Sequence, residues 1–278
     1  MRRSVRWTLF VSVVTALAMF VAACGGGDDD GGGGGSKTAE VQTKVEQGKK
    51  GGNLTYLAAG DVDYLDTGQT YYTFGYMVAY STNRMLYSFK PTESVKPVPD
   101  LATGPPEISA DNKTITVHIK KGVKYAPPVN REVTTKDIKY AFERAFSKNV
   151  PSGYAGTYFS SIAGTPEKPN AGDIAPISGI QTPDDHTIVF RLKDQSAALV
   201  SQALVMPITV PVPKEYASKF DRSTPSKYDQ YVAFTGPYMV KNDPQTGKVT
   251  GRAPGKSVEL VRNPNWNRST DYRPAYLD

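Results

Sequence analysis

The sequence predicts an α/β protein, with strands and helices mixed along one folded region, and three observations carry that expectation. Thr114 to Lys120 alternates: Ile115, Val117 and Ile119 share one side and Thr116, His118 and Lys120 the other, the two-residue period of a half-buried strand. His186 to Leu192 repeats the pattern through Ile188, Phe190 and Leu192. Between them, Ile138, Ala141, Phe142 and Ala145 recur at helical spacing, and Thr134 stands three residues before Asp137, a capping box that opens a helix running through Phe146.

The chain begins with Arg2, Arg3 and Arg6, an apolar run from Trp7 to Val21 and the small pair Ala22-Ala23, with no acidic residue. This is the pattern of an export signal over residues 1–23. The segment Val21-Ala22-Ala23-Cys24 resembles a bacterial lipobox, which implies that Cys24, the one cysteine, becomes an acylated N-terminus and a membrane anchor. The alternative is a transmembrane helix, but the 17 residues from 7 to 23 reach only the lower edge of the ~17–25 that cross a bilayer, and Cys24 would then be idle. Arg2-Arg3 hints at twin-arginine export, but the surrounding pattern favours ordinary secretion. Residues 24–50 read as a tether: Gly25 to Ser36 is GGGDDDGGGGGS and holds nothing that can build a core. Lys37 to Lys50 is polar and reads as a short helix or as disordered chain.

The hydrophobic share of 39% and the charged share of 22% are those of an ordinary folded protein. Removal of Arg2, Arg3 and Arg6 takes the formal charge from +6 to +3, and the remaining cations are scattered among acids, so nucleic-acid binding is not expected. With Cys24 in the anchor, the folded part has no disulfide and depends on its core.

From Gly51-Gly52 onward the elements follow in order. Asn53 to Ala59 reads as a first strand ending at Gly60-Asp61. Thr70 to Phe89 lacks proline and spaces Phe74, Met77, Val78 and Met85 as the core face of a helix. Pro127-Pro128 breaks regular structure after the Thr114 strand, and Ser147 to Ile177 is a long irregular stretch of the kind that is functional or mobile. A strand is expected near Tyr238 to Lys241, a turn over Asp243 to Gly247, and a strand over Ser257 to Arg262. Two near-matches to a phosphate loop, at Gly31 to Thr38 and Gly251 to Ser257, have the wrong glycine spacing or context, and no nucleotide is assigned; the second reads as a hairpin turn.

Catalytic chemistry has no foothold. His118 and His186 lie alone on separate strands, no cluster has metal-ligand spacing, and no nucleophile elbow of the G-x-S-x-G kind occurs. The expectation is a protein that is not an enzyme and carries no cofactor or metal.

Taken in order, six motifs resemble the family 5 solute-binding proteins of ABC transporters, the group of oligopeptide, dipeptide and nickel binders. They are Gly51 to Thr55, the DVDYLD of Asp61 to Asp66, Val98 to Ala102, the dense stretch from Asp111 to Arg144, Thr235-Gly236-Pro237-Tyr238, and Leu260 to Trp266. The resemblance covers residues 51 to 278 and implies a periplasmic-binding-protein-like type II lobe with an inserted α+β subdomain. In that layout 51–83 begins lobe one, 84–204 is the insertion, and 205–278 returns to an incomplete lobe one. Family members run to about twice this length, so the second lobe is expected to be missing. The implied role is a monomeric, lipid-anchored receptor on the extracytoplasmic face of the cell membrane, handing a peptide-like solute to ABC permease subunits. A truncated non-binding remnant or a surface interaction module is the alternative.

By the same resemblance Tyr71, Tyr72 and Thr73, just beyond DVDYLD, fall where the family lines its cleft, and Trp266 is a weaker ligand-contact candidate. Neighbouring tyrosines suit such a site, each giving a rigid apolar face and a polar tip. They suit equally a role in capping the next helix and packing in the core. Of the 17 tyrosines, Tyr154 and Tyr158 in the irregular stretch are expected to anchor their loop, since the family places the insertion away from the cleft.

Overall fold

The computed structural model describes residues 48–90 and 93–278, all within one compact unit. The export signal, Cys24 and nearly all of the tether lie outside the described residues. Among the described residues no helix is long and apolar enough to cross a membrane.

The two alternating segments become neighbours in a four-stranded antiparallel sheet of order β3-β4-β6-β5: β3 is Glu107–Ile108, β4 Thr114–His118, β5 Ile180–Asp184 and β6 Thr187–Arg191. The register pairs Ile115 with Phe190 and Val117 with Ile188, so the apolar positions of both central strands fall on one face and are fully buried. Helix α2, Thr135–Ala145, covers that face. Its Phe142 meets Phe190 edge-on at 5.4 Å and Phe159, from the short helix α3 (Ala155–Phe159), at 5.0 Å. Such edge-to-face pairs add to the area they remove from water. The capping box forms as the sequence predicts: Thr134 is the N-cap, and its backbone N–H donates to the Asp137 carboxylate at 2.9 Å.

A second layer rests on shorter pairings. Strand β1 (Tyr87–Lys90) pairs with β2 (Glu93–Pro99), β7 (Tyr238–Val240) with β10 (Leu260–Arg262), and β8 (Arg252–Ala253) with β9 (Ser257–Val258), all antiparallel. Helix α1, Thr73–Thr82, packs against β7. One apolar core runs through both layers, from Val62 and Leu65 through Phe142 and Phe190 to Phe234 and Val240.

Several expectations are corrected. Residues 53–59 form no strand. A strand exists only through a laddered partner, and no described segment lies alongside: only Gly51 and Gly52 bond, to Tyr276 and Asp278, while Leu54 and Leu57 are 71% and 89% exposed. The helix expected over 70–89 spans only Thr73–Thr82. It ends at the extended residue Asn83, Met85 is buried beyond it, and Met77 faces solvent rather than the core. The strand expected over 257–262 is interrupted at Glu259, whose N–H donates to the Gly251 carbonyl at 2.7 Å, so β9 and β10 serve different partners. His118 ends β4, and His186 lies in the turn before β6 rather than on the strand itself. The 243–247 turn and the 251–257 hairpin form as expected.

Candidate functional site

The DVDYLD motif is held in place by charge. Arg252, from the β8–β9 hairpin, donates to the carbonyls of Val62 at 2.6 Å and Asp63 at 2.9 Å and pairs with Asp229 at 2.9 Å. Asp229 in turn accepts the backbone N–H groups of Leu65 and Asp66, and burial pushes its carboxyl above the usual range despite Arg252 and those donors. Asp61 accepts the Gly255 N–H at 2.7 Å, and that bond with one from Val62 lowers its pKa. At the other end of the motif Asp66 meets Arg144 of α2, which also grips Asp221, with four nitrogen–oxygen contacts of 2.7 to 3.0 Å and no exposed side-chain surface beyond 1%.

The third carboxylate of the motif starts α1. The N-cap position, Tyr72, has no side-chain cap of its own. Asp63 substitutes from nine residues upstream, accepting the N–H of Tyr71 at 2.6 Å and of Tyr72 at 3.2 Å and the Thr70 hydroxyl at 2.7 Å. A carboxylate at a helix N-terminus satisfies orphan donors and complements the positive end of the dipole. The approach is close enough that a Cβ on Gly75 would stand 2.0 Å from the Thr70 hydroxyl and 2.5 Å from Asp63.

Fixed by this cap, three side chains point outward: Tyr71 is 53% and Tyr72 62% exposed, and Thr73 is exposed. The Tyr71 ring stacks on Tyr154 at 4.7 Å with the planes 9° apart, and Tyr72 meets Tyr71 edge-on at 5.9 Å. Tyr76 lies 6.0 Å and Tyr158 5.9 Å from Tyr154, ring centre to ring centre. Burial pushes the Tyr76 hydroxyl above its usual range, and burial and then the neighbouring Tyr71 do the same to Tyr154. Both are neutral at physiological pH. The arrangement is an aromatic surface able to stack and to hydrogen-bond.

Tyr71, Tyr72 and Thr73 are consecutive and all exposed. Tyr154 anchors its loop on Tyr71: 83 residues later in the chain, its ring stacks there and its hydroxyl donates to the Tyr71 carbonyl at 3.3 Å. No sequence signal carries this, because a stack between distant loops has no period or spacing. Trp266 is held elsewhere. Its indole N–H donates to Asp271 at 2.9 Å, within a buried group of Arg84, Asp100, Asp271 and Arg273 at the C-terminal end of α1. Burial raises the Asp271 carboxyl, but Arg273 and Arg84 outweigh it and hold the carboxyl below the usual range. Among the described residues no group of His, Cys, Asp and Glu is arranged to hold a metal ion. His118 contacts Thr187 at 3.1 Å and Glu107 at 3.6 Å at the sheet's exposed edge.

The described residues thus form a mixed α/β lobe that carries an exposed tyrosine cluster above buried charge clusters. The family model of bacterial extracellular solute-binding proteins, family 5, matches residues 96–278, and the chain belongs to that family. It is 30% identical over 156 residues to the dipeptide-binding protein of Escherichia coli K12, a stretch that is 53% of this chain and 27% of that protein. It is 32% identical over 139 residues to di/tripeptide-binding protein 1 of Pseudomonas aeruginosa UCBPP-PA14, 48% of this chain and 25% of that one. Among solved structures, clavulanic acid biosynthesis oligopeptide binding protein 2 superposes with a TM-score of 0.68 at 32% identity, covering 83% of this chain and 39% of that one. Peptide-bound OppA of Listeria monocytogenes gives 0.62 at 23% identity, covering 79% and 40%, a likeness of fold alone. The fold is thus that of a family 5 binding-protein lobe, and the chain spans about two fifths of the length of the solved relatives it matches.

Proposed function

We propose that this chain is the lipid-anchored solute-binding component of an ABC importer, capturing peptides or peptide-like solutes outside the membrane for permease subunits, as a monomer tethered through Cys24. Residues 84–204 act as the inserted subdomain, between the two parts of lobe one at 51–83 and 205–278. Tyr71, Tyr72 and Thr73 contact the ligand; Trp266, its N–H already committed to Asp271, gives at most an apolar wall. The observation that carries the reading is the capped, outward-facing aromatic surface at Tyr71 and Tyr72, in a family whose similar members are named for the peptides they bind. Solvent-exposed rings on a rigid helix end lose little entropy on binding, which is why tyrosine recurs at recognition surfaces.

Titration calorimetry of the full chain with a mixture of di- and tripeptides is expected to give saturable heat, reduced by Tyr71→Ala. Absence of heat with any peptide overturns the receptor reading. It would favour the second one, an anchored surface module that does not bind, for which the exposed and unpaired stretch of Leu54, Tyr56 and Leu57 speaks. Mass spectrometry of the membrane fraction tests the anchor: a diacylglyceryl adduct on Cys24 is expected, and an unmodified mature N-terminus overturns it.

A further inference from the structure

The Tyr71 ring is packed on one side and open to solvent on the other. On one face it stacks on Tyr154, nearly parallel at 4.7 Å. Beside that contact it lies against the bare α-carbon of Gly153, where an added Cβ would come within 2.7 Å of ring atom Cδ2 and 2.9 Å of Cε2. Any side chain at position 153 therefore displaces the ring.

The segment that supplies this floor is itself fixed. The Ser152 hydroxyl accepts the N–H of Ala155 at 3.3 Å and of Tyr154 at 3.4 Å, and the Asn170 side chain bonds the Ser152 backbone in both directions, at 3.2 and 2.9 Å. Phe159, one turn on, is fully buried against Phe142. The floor is thus tied, through Ala155 and Phe159 next to it, to the packed core of the central sheet.

What remains open is apolar and neutral. Tyr72 and Tyr158 are 62% and 46% exposed, α1 has no acidic residue in its first turn and no basic residue in its last, and Asp63 is occupied by three donors. A ligand meeting this surface gains from stacking and from neutral hydrogen bonds rather than from ion pairing.

We propose that Tyr154, supported by Gly153, is a specificity-determining residue of the Tyr71 site, making it a stacking platform that selects peptides presenting a flat, uncharged side chain such as a phenyl ring. This rests on the reading of Tyr71 to Thr73 as ligand contacts and adds to it a residue from the far part of the chain and a class of ligand.

The test is calorimetry of the full chain with triglycine, glycyl-phenylalanyl-glycine and maltose, the last an uncharged ring of another source. Wild-type protein is expected to prefer the phenylalanyl peptide over triglycine by about tenfold, the scale of one stacked aromatic contact. Tyr154→Ala is expected to abolish that preference, and Tyr154→Phe to keep it. Gly153→Ala should act like Tyr154→Ala. A preference that survives Tyr154→Ala overturns the role of Tyr154 and leaves the peptide reading standing; a wild-type chain silent to every peptide overturns both. Tighter binding of maltose than of the phenylalanyl peptide overturns the ligand class. If Tyr154→Ala does not fold, as judged by circular dichroism, Tyr154→Leu replaces it. A near-ultraviolet tyrosine signal in the wild type that changes with the phenylalanyl peptide but not with triglycine is the independent readout, and an unchanged signal counts against the proposal.

Discussion

Helices α1 and α2 both begin on a carboxylate, yet they serve opposite purposes. In α2 the carboxylate is Asp137, three residues past the N-cap, and almost everything that follows is buried, down to the charged pair Glu143 and Arg144. In α1 the carboxylate is Asp63, from outside the helix, and only Gly75, Ala79 and Thr82 are buried while Tyr71, Tyr72 and Met77 face water. The same electrostatics at a helix N-terminus thus anchors a scaffold in one place and holds up a display surface in the other. Scaffold substitutions should cost mainly stability, and display substitutions more in recognition than in stability.

The largest effect should come from Arg144. Its guanidinium carries Asp66 and Asp221 and lies 4.7 Å from the centre of the Tyr228 ring, all out of water. Arg144→Met keeps volume but leaves two buried carboxylates facing each other, and removing one partner of a buried pair costs about 3–5 kcal/mol. Urea denaturation followed by circular dichroism measures this. The pH dependence sharpens it. Burial raises the Asp221 carboxyl, but the Arg144 charge, with bonds from Arg144, Ser226 and Tyr140, outweighs it and holds the folded pKa below the unfolded one. Its contribution is therefore complete above the unfolded value of about 3.9 and is lost as pH falls through the lower folded value. Wild-type stability should drop in that acid window. In Arg144→Met the trend should reverse, because the stranded carboxylates gain by taking up protons. A variant as acid-sensitive as the wild type would show that Arg144 is not what holds Asp221 ionised.

An intermediate effect is expected at the α2 cap. Asp137 accepts the Thr134 N–H and a two-pronged contact from Arg131, both prongs at 2.7 Å. Asp137→Ala should cost about 2 kcal/mol, the upper range for a lost cap, since the Arg131 contact goes with it. Arg131 keeps its bonds to Glu215, so no cation is stranded. A loss under about 0.5 kcal/mol in thermal denaturation would place the weight of this helix on its apolar face instead.

The difference between the two helices is also a difference in what could be read from the sequence. The α2 cap lies within one turn, and Ile138, Ala141, Phe142 and Ala145 repeat at a helical period, so start, end and buried face were all legible. The alternation at Ile115 and Val117 and at Ile188 and Phe190 was legible for the same reason. The start of α1 was not, because its cap comes from Asp63, nine residues before Tyr72, through a bend with no fixed spacing. Its end was misjudged because Met85 and Leu86 are as apolar as a helix face, yet they lead into β1 and are buried by packing rather than by helical period. Residues 53–59 have a strand's composition, but a ladder needs a second segment that no local pattern can specify. Of the proposed site, the resemblance points to Tyr71 to Thr73; the stack with Tyr154 and the Arg144 triad join residues more than seventy positions apart and were invisible.

The smallest stability effect, and the one that tests the comparison most sharply, is expected at Tyr72. Its ring is 62% exposed, its one ring neighbour is the edge of Tyr71, and what it gives α1 is a backbone N–H that any residue supplies. Tyr72→Ala should therefore shift unfolding free energy by no more than about 0.5 kcal/mol, as for surface positions outside any cap or core. Tyr71→Ala, which also loses the Tyr154 stack, should cost about 1 kcal/mol. If both tyrosines serve recognition, each variant should lose more in peptide affinity than in stability. A Tyr72→Ala protein that unfolds early would move this residue to the scaffold and erase the contrast between the two helices.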